Sequence, residues 1–236
     1  MPILGLPFVA LVLFFAFANL MLAFPHIDLL VSGLFYTPGI GFGNNGKPLE
    51  QLLYHSVGVL MVVVNVALIG LWLFNRITGR ALLRFTGRKL LFLLCLLALL
   101  PGLVVNLGLK QHWGRARPVD VIEFGGERSF SPAFLISDQE GKSFSSGHAA
   151  AACYLVAVAV LLFGWRSRWV IATGLYAALI CALRIAAGGH YLSDVVTSMF
   201  LVLFGYLILH RVFFGNRPDA NPDAHQGANP NANRPA

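Results

Sequence analysis

The chain has 236 residues, 57% of them hydrophobic and only 11% charged, whereas soluble domains carry about 25% charged residues. That composition excludes an ordinary water-soluble globule and calls for lipid as part of the solvent. The formal charge of +7 suits an anionic lipid or substrate rather than nucleic acid, because the basic residues sit in short blocks between apolar stretches.

Crossing a bilayer takes about 20 apolar residues, and six stretches qualify. The first, 3–24, lacks a basic leading region and exceeds the roughly 7–15 apolar residues of a signal sequence, so it reads as a retained helix. Segment 25–51 carries Leu29, Leu30, Leu34 and Phe35 and is expected to lie along the outer surface, framing a lipid entrance. The second stretch is 52–74, with Tyr54 and His55 near its start expected at the interface. Next comes a basic connection, 75–89, holding Arg76, Arg80, Arg84, Arg88 and Lys89. The third stretch is 90–109, followed by a long connection, 110–147. The fourth stretch, 148–164, is the shortest; a turn with Arg166 and Arg168 leads to the fifth, 169–187, and then the sixth, 195–214.

The expectation is an all-α polytopic membrane protein of six transmembrane helices, one domain over 1–214, with a disordered cytoplasmic tail over 215–236. The tail is rich in Asn, Pro, Ala, Gly and Asp and has too little apolar content to offset ordering entropy. The positive-inside rule puts 75–89, 164–168 and the tail in the cytoplasm, and therefore 110–147 and 188–194 outside. Cys95, Cys153 and Cys181 lie inside apolar stretches and read as small buried hydrophobes.

Three clusters fall at the outer helix ends. One is Lys110 to Arg117-Pro118, the next Ser145-Ser146-Gly147-His148, the third Arg184 to His190 and Asp194. Alone, Lys110 could snorkel to the interface and the arginines touch lipid headgroups. His190 and Asp194 share a helix-face spacing, so the carboxylate could hold one ring N–H and leave the other nitrogen bare; an N-terminal cap by Asp194 is the plain alternative. Gly188 and Gly189 could admit a ligand or break the helix. Ser146-Gly147-His148 opens a helix, whose free N–H groups favour phosphate, and Ser145 or Ser146 could equally be its cap. Together, three cations, two histidines and one carboxylate on one face fit binding and cleavage of a phosphate ester. No metal constellation and no cofactor is expected.

In order and spacing, these clusters resemble the signature of the type-2 phosphatidic acid phosphatase superfamily, membrane branch, over roughly 90–214. Two positions depart: Ser145 stands where the pattern has proline, Leu183 where it has serine. The resemblance implies that His190 attacks phosphorus, Asp194 orients it, and His148 protonates the leaving oxygen. Lys110, Arg117 and Arg184 would neutralise the phosphoryl oxygens, with Ser146 and Gly147 adding donors. His112-Trp113-Gly114-Arg115 is similar to bacterial relatives acting on lipid A or other envelope lipids; His112 and Trp113 are expected as interfacial anchors, and Arg115 and Arg128 as extensions of the anionic site or as solvated loop charges.

The implied activity is metal-independent hydrolysis of a lipid phosphate in the bacterial inner membrane, with the site facing the periplasm. Candidate substrates are lipid A phosphate, undecaprenyl diphosphate, phosphatidylglycerophosphate and phosphatidic acid. The alternatives are a phosphotransferase using the same histidine, a non-catalytic lipid-binding or transport protein, and a haloperoxidase-like activity. The first two keep the membrane setting; the six apolar stretches speak against the last. The sequence leaves the oligomeric state open.

Overall fold

A computed structural model describes residues 7–215 of the chain. The tail beyond Gly215 and the first residues of the first apolar stretch lie outside the described residues.

Helix α1 (Phe8–Ala23) ends at Phe24, and the chain bends by 86° into a short helix, α2 (His26–Gly33). Pro25 accounts for the break: it has no N–H to donate, and it drives the preceding residue out of the helical region. Phe24 indeed has φ −129° and ψ 63°. Helix α2 turns Asp28 and Ser32, one turn apart, into the protein, while Leu30 and Leu34 face out. A small hairpin, β1 (Tyr36–Thr37) and β2 (Gly41–Phe42), follows in antiparallel register.

Helix α3 (Pro48–Thr78) is 31 residues long, opens with proline in its first turn and stops at Gly79 in the left-handed region, an arrangement that suits both residues. Only 11% of its apolar window is buried inside protein, so most of its surface meets lipid. Helix α4 (Gly87–Leu97) runs into a π-helical stretch (Ala98–Leu109) and a last turn, α5 (Lys110–His112). Pro101 lies within the widened stretch, where a missing N–H disrupts the regular ladder, and the Asn106 side chain donates to the Pro101 carbonyl (2.6 Å).

Helix α6 (Gly147–Phe163) is the inner element, packed on α7 (Arg168–Ala186) and α8 (Leu192–Phe214). Its buried Ala149, Ala150, Ala152, Ala157 and Ala159 let neighbouring backbones approach closely. Tyr154 on α6 donates to Asn65 on α3 (2.8 Å), and Ser56 on α3 pairs with Tyr176 on α7 (2.8 Å). These polar ties fix helices that apolar packing alone would leave free to slide in lipid.

The six-span expectation is met only in part. Among the described residues four helical segments are long and apolar enough to cross a membrane: Pro48–Thr78, Gly87–His112, Arg168–Ala186 and Leu192–Phe214. The bent α1–α2 pair makes a fifth if counted as one span, and α6, with 17 residues, is shorter than the others. Segment 25–51 departs from a purely surface role, since α2 seats Asp28 against α8.

Candidate active site

The three clusters meet at one end of the bundle and are stitched together by backbone hydrogen bonds. The Ser143 amide donates to the Arg115 carbonyl (3.0 Å), joining the first cluster to the second. The Ser146 amide donates to the Asp194 carbonyl (3.4 Å), and the Val119 amide to the Gly188 carbonyl (3.1 Å). Residues far apart in sequence are thus held by main chain, which is stiffer than side-chain contact.

His190 lies in the link between α7 and α8 and is buried. Its Nδ1 is 2.8 Å from the Ser143 carbonyl. A carbonyl only accepts, so Nδ1 carries the proton and Nε2 carries the lone pair. Among the described residues Nε2 has no hydrogen-bond partner. Burial pushes the His190 pKa below the ordinary histidine range; Asp194 opposes the shift, and Arg184 and Lys110 add to it.

The expected helical pairing of His190 with Asp194 is corrected here. His190 precedes α8, and Asp194 sits in its first turn, accepting from the Tyr191 amide (2.9 Å). The carboxylate also accepts from Ser143 Oγ (2.6 Å), while its Oδ2 stays 3.7 Å from His190 Nδ1. The Ser143 carbonyl, not Asp194, accepts the hydrogen bond from Nδ1–H. Asp194 is both a cap and a charge beside the ring, so the two readings of the sequence coexist.

Gly188 has φ +66°, and a Cβ on Gly189 would overlap the Arg184 guanidinium. The first glycine makes the turn that ends α7; the second leaves room for Arg184 to fold back under the His190 backbone. Arg184 is buried, donates from Nη1 to Glu50 (2.8 Å), and keeps its Nε buried without a partner. Lys110 and Arg117 are half-buried, and among the described residues neither has an acidic partner. Lys110, Arg117 and Arg184 all lie within charge–charge range of His148.

Ser146 is the cap of α6, its Oγ accepting from the Ala149 amide (3.4 Å). The hydroxyl proton remains available, as do the first-turn amides of Gly147 and His148, which helix geometry leaves unbonded. Ser145 Oγ is buried without a partner.

Four contributors were missed or misjudged from sequence. Arg115 is fully buried rather than solvated: Nη1 donates to Asp194 (2.5 Å) and Ser193 (2.8 Å), Nη2 to Asp28 (2.8 Å), and Nε to the Ser131 carbonyl (2.9 Å). Burial opposes its charge, but Asp194 and Asp28 outweigh burial and hold its pKa above the ordinary arginine range. Asp28 is the second contributor and Glu50 the third; both are buried acids in a stretch read as surface loop. Tyr54 is the fourth. It is not merely interfacial, for its ring lies 4.1 Å from the His148 ring and 4.9 Å from the Arg184 guanidinium. The available signal was that acids beside membrane helices are costly and seldom idle. Arg128 is half-buried and braces the loop, donating to the Glu140 carbonyl (2.7 Å). Trp113 stacks on Phe144 (4.6 Å) and donates to the Ala133 carbonyl (2.7 Å), so it packs within the loop. Among the described residues no group of three or more His, Cys, Asp or Glu side chains is arranged to hold a metal ion.

The chain is 34% identical over 218 residues to the lipid A 4'-phosphatase of Francisella tularensis subsp. novicida (strain U112), covering 90% of this chain and 95% of that protein. It is 34% identical over 207 residues to a lipid A 4'-phosphatase of Rhizobium leguminosarum (79% of this chain, 88% of that one), and 34% identical over 209 residues to one of Rhizobium etli (79% of each). No solved structure gives a significant match. The model of the PAP2 superfamily matches residues 88–218, more than half of the chain and all three clusters, and the chain belongs to that superfamily.

Proposed function

We propose that this protein is a membrane-embedded phosphatase that removes a phosphate group from lipid A or a closely similar envelope lipid, through a phosphohistidine at His190. The observation that carries the reading is one nucleophilic nitrogen facing unmatched cations. His190 Nε2 is bare, Lys110 and Arg117 have no acidic partner among the described residues, and Arg184 keeps a buried Nε unbonded. A phosphate supplies the missing counter-charge. The three relatives named above, matched over most of the chain, support lipid A as the substrate.

In the first step Nε2 attacks phosphorus and the bond from phosphorus to the lipid oxygen breaks. His148 gives that oxygen a proton. The proton stays on Nδ1, hydrogen-bonded to the Ser143 carbonyl, and the charge gained by the ring faces Asp194. Lys110, Arg117 and Arg184 hold the three non-bridging oxygens, with the amides of Gly147 and His148 and the Ser146 hydroxyl as further donors. Positioning and charge neutralisation dominate such a transfer. In the second step His148 takes a proton from water, the oxygen attacks phosphorus, and the N–P bond breaks. Inorganic phosphate leaves and His190 returns to its neutral form.

In this reading the site faces the periplasmic side of the inner membrane and both termini are cytoplasmic. Support comes from Arg76, Arg80, Arg84, Arg88, Lys89, Arg166 and Arg168, which connect helices at the end of the bundle opposite the site. The deciding experiment measures phosphate release from lipid A, undecaprenyl diphosphate, phosphatidylglycerophosphate and phosphatidic acid in detergent with EDTA, wild type beside His190→Ala. Release from lipid A that His190→Ala abolishes is expected. Release left intact in the variant sinks the mechanism, and release from another lipid alone sinks the substrate assignment.

A further inference from the structure

Behind His190 the protein buries three charges in contact. Arg115 bridges Asp194 (2.5 Å) and Asp28 (2.8 Å), and all three side chains are at most 1% exposed. Ser193 ties the group together: its amide donates to Asp28 (2.9 Å), its hydroxyl also donates to Asp28, and it accepts from Arg115. The Tyr191 ring lies against the guanidinium at 4.1 Å. Apolar residues of similar volume commonly serve a fold as well as a buried ion pair does. A triad of this kind therefore calls for a reason beyond packing.

Its charge count supplies one. A lone Arg115–Asp194 pair would be neutral. With Asp28 on the other edge of the same guanidinium, the triad carries one net negative charge. Asp194 Oδ2 is the triad oxygen nearest the nucleophile, 3.7 Å from His190 Nδ1. When Nε2 bonds to phosphorus the ring becomes cationic, and a net negative wall stabilises it where a neutral wall would not. In a water-poor site such a charge acts with little screening.

We propose that Asp28 is a positioning residue for the reaction: shared through Arg115, it leaves Asp194 with the uncancelled charge that stabilises the phosphorylated imidazole. The inference rests on the phosphohistidine reading. It also makes α2, which lies outside the matched region 88–218, a working part of the site.

The test compares wild type, Asp28→Asn, and Asp28→Asn with Arg115→Met, with His190→Ala as blank, on lipid A in detergent. Asp28→Asn removes the charge and keeps one acceptor oxygen, its amide NH2 replacing the other of the two oxygens that Ser193 and Arg115 use. It is expected to lower kcat on the order of 10- to 100-fold with KM unchanged, since Asp28 does not touch phosphate. The double variant removes Arg115 as well; with Ser143 and the Tyr191 amide still donating to Asp194, it restores one net negative charge, and in the folded fraction isolated by size-exclusion chromatography it should recover kcat at least about threefold over the single variant. A single variant with wild-type kcat overturns the proposal, and so does a double variant less active than the single one. Failure of both variants to fold, read by size-exclusion chromatography and thermal unfolding, makes Asp28 purely structural and overturns it too. An inactive wild type would instead refute the phosphatase reading itself.

Discussion

Arg115 and Arg117 stand two residues apart in one motif and meet opposite fates. Arg115 is sealed in a wall where two carboxylates answer its charge. Arg117 is half-buried within charge–charge range of His148, with no acidic partner among the described residues. The first kind of cation is built into the scaffold; the second is left without an acidic partner, and in the proposed reading a phosphate supplies one. Burial with a matched partner separates scaffold from binding surface, even when residue type and sequence position do not.

Substituting both arginines by methionine tests that contrast most severely. Arg115→Met leaves Asp28 and Asp194 as buried, uncompensated charges, and breaking a buried pair this way costs about 3–5 kcal/mol. It should sharply lower the unfolding midpoint in detergent. Arg117→Met should leave that midpoint in place and lower kcat/KM about 100-fold, the usual scale for removing one donor to developing charge. If both variants lost stability equally, the contrast would collapse.

Glycine 189 gives the next test. Alanine there drives a Cβ into the Arg184 guanidinium, so Gly189→Ala should reduce activity on the order of tenfold by displacing one donor. Serial dilution with vanadate as a phosphate mimic should show weaker inhibition as well; an unchanged inhibition constant would free Arg184 from any role in phosphate binding. Glu50→Gln keeps an acceptor for Arg184 and removes its counter-charge. A severalfold change in KM, larger than the change in kcat, is the expected signature, because Arg184 meets the substrate directly in this reading.

The smallest effect concerns pH. With the His190 pKa lowered by burial, the neutral ring persists as pH falls below its ordinary value. A histidine at its ordinary pKa of about 6.5 would be roughly 90% protonated at pH 5.5. The rate of His190 phosphorylation should therefore fall by clearly less than tenfold between pH 7.5 and 5.5, measured by rapid quench. A full tenfold loss would place His190 in an ordinary aqueous setting and undo the account of its burial.

Much of this was legible in the chain itself. The apolar stretches located the helices within a few residues, because lipid exposure demands long uninterrupted runs. Proline 25 announced the break after α1, though not that the next turn would carry a buried acid inward. Glu50 falls in a loop by apolar pattern because the apolar run starts at Leu52, whereas the helix begins at Pro48 and its first turn carries Glu50 to Arg184. Periodicity cannot report such a turn, since its partner lies 134 positions away in the sequence.

What the sequence by itself determined is the membrane character, the helical fold class and the three ordered clusters, all of which depend on local composition and spacing. What only the tertiary structure decided is the wiring among them. The Ser143 carbonyl fixes the proton on His190, Arg115 leaves the ligand for the scaffold, and Asp28 and Glu50 reach in from the first third of the chain. The physical reason is that a buried charge is tolerable only where its partner stands, and partners are chosen by proximity in space, which spacing along one strand of sequence does not encode.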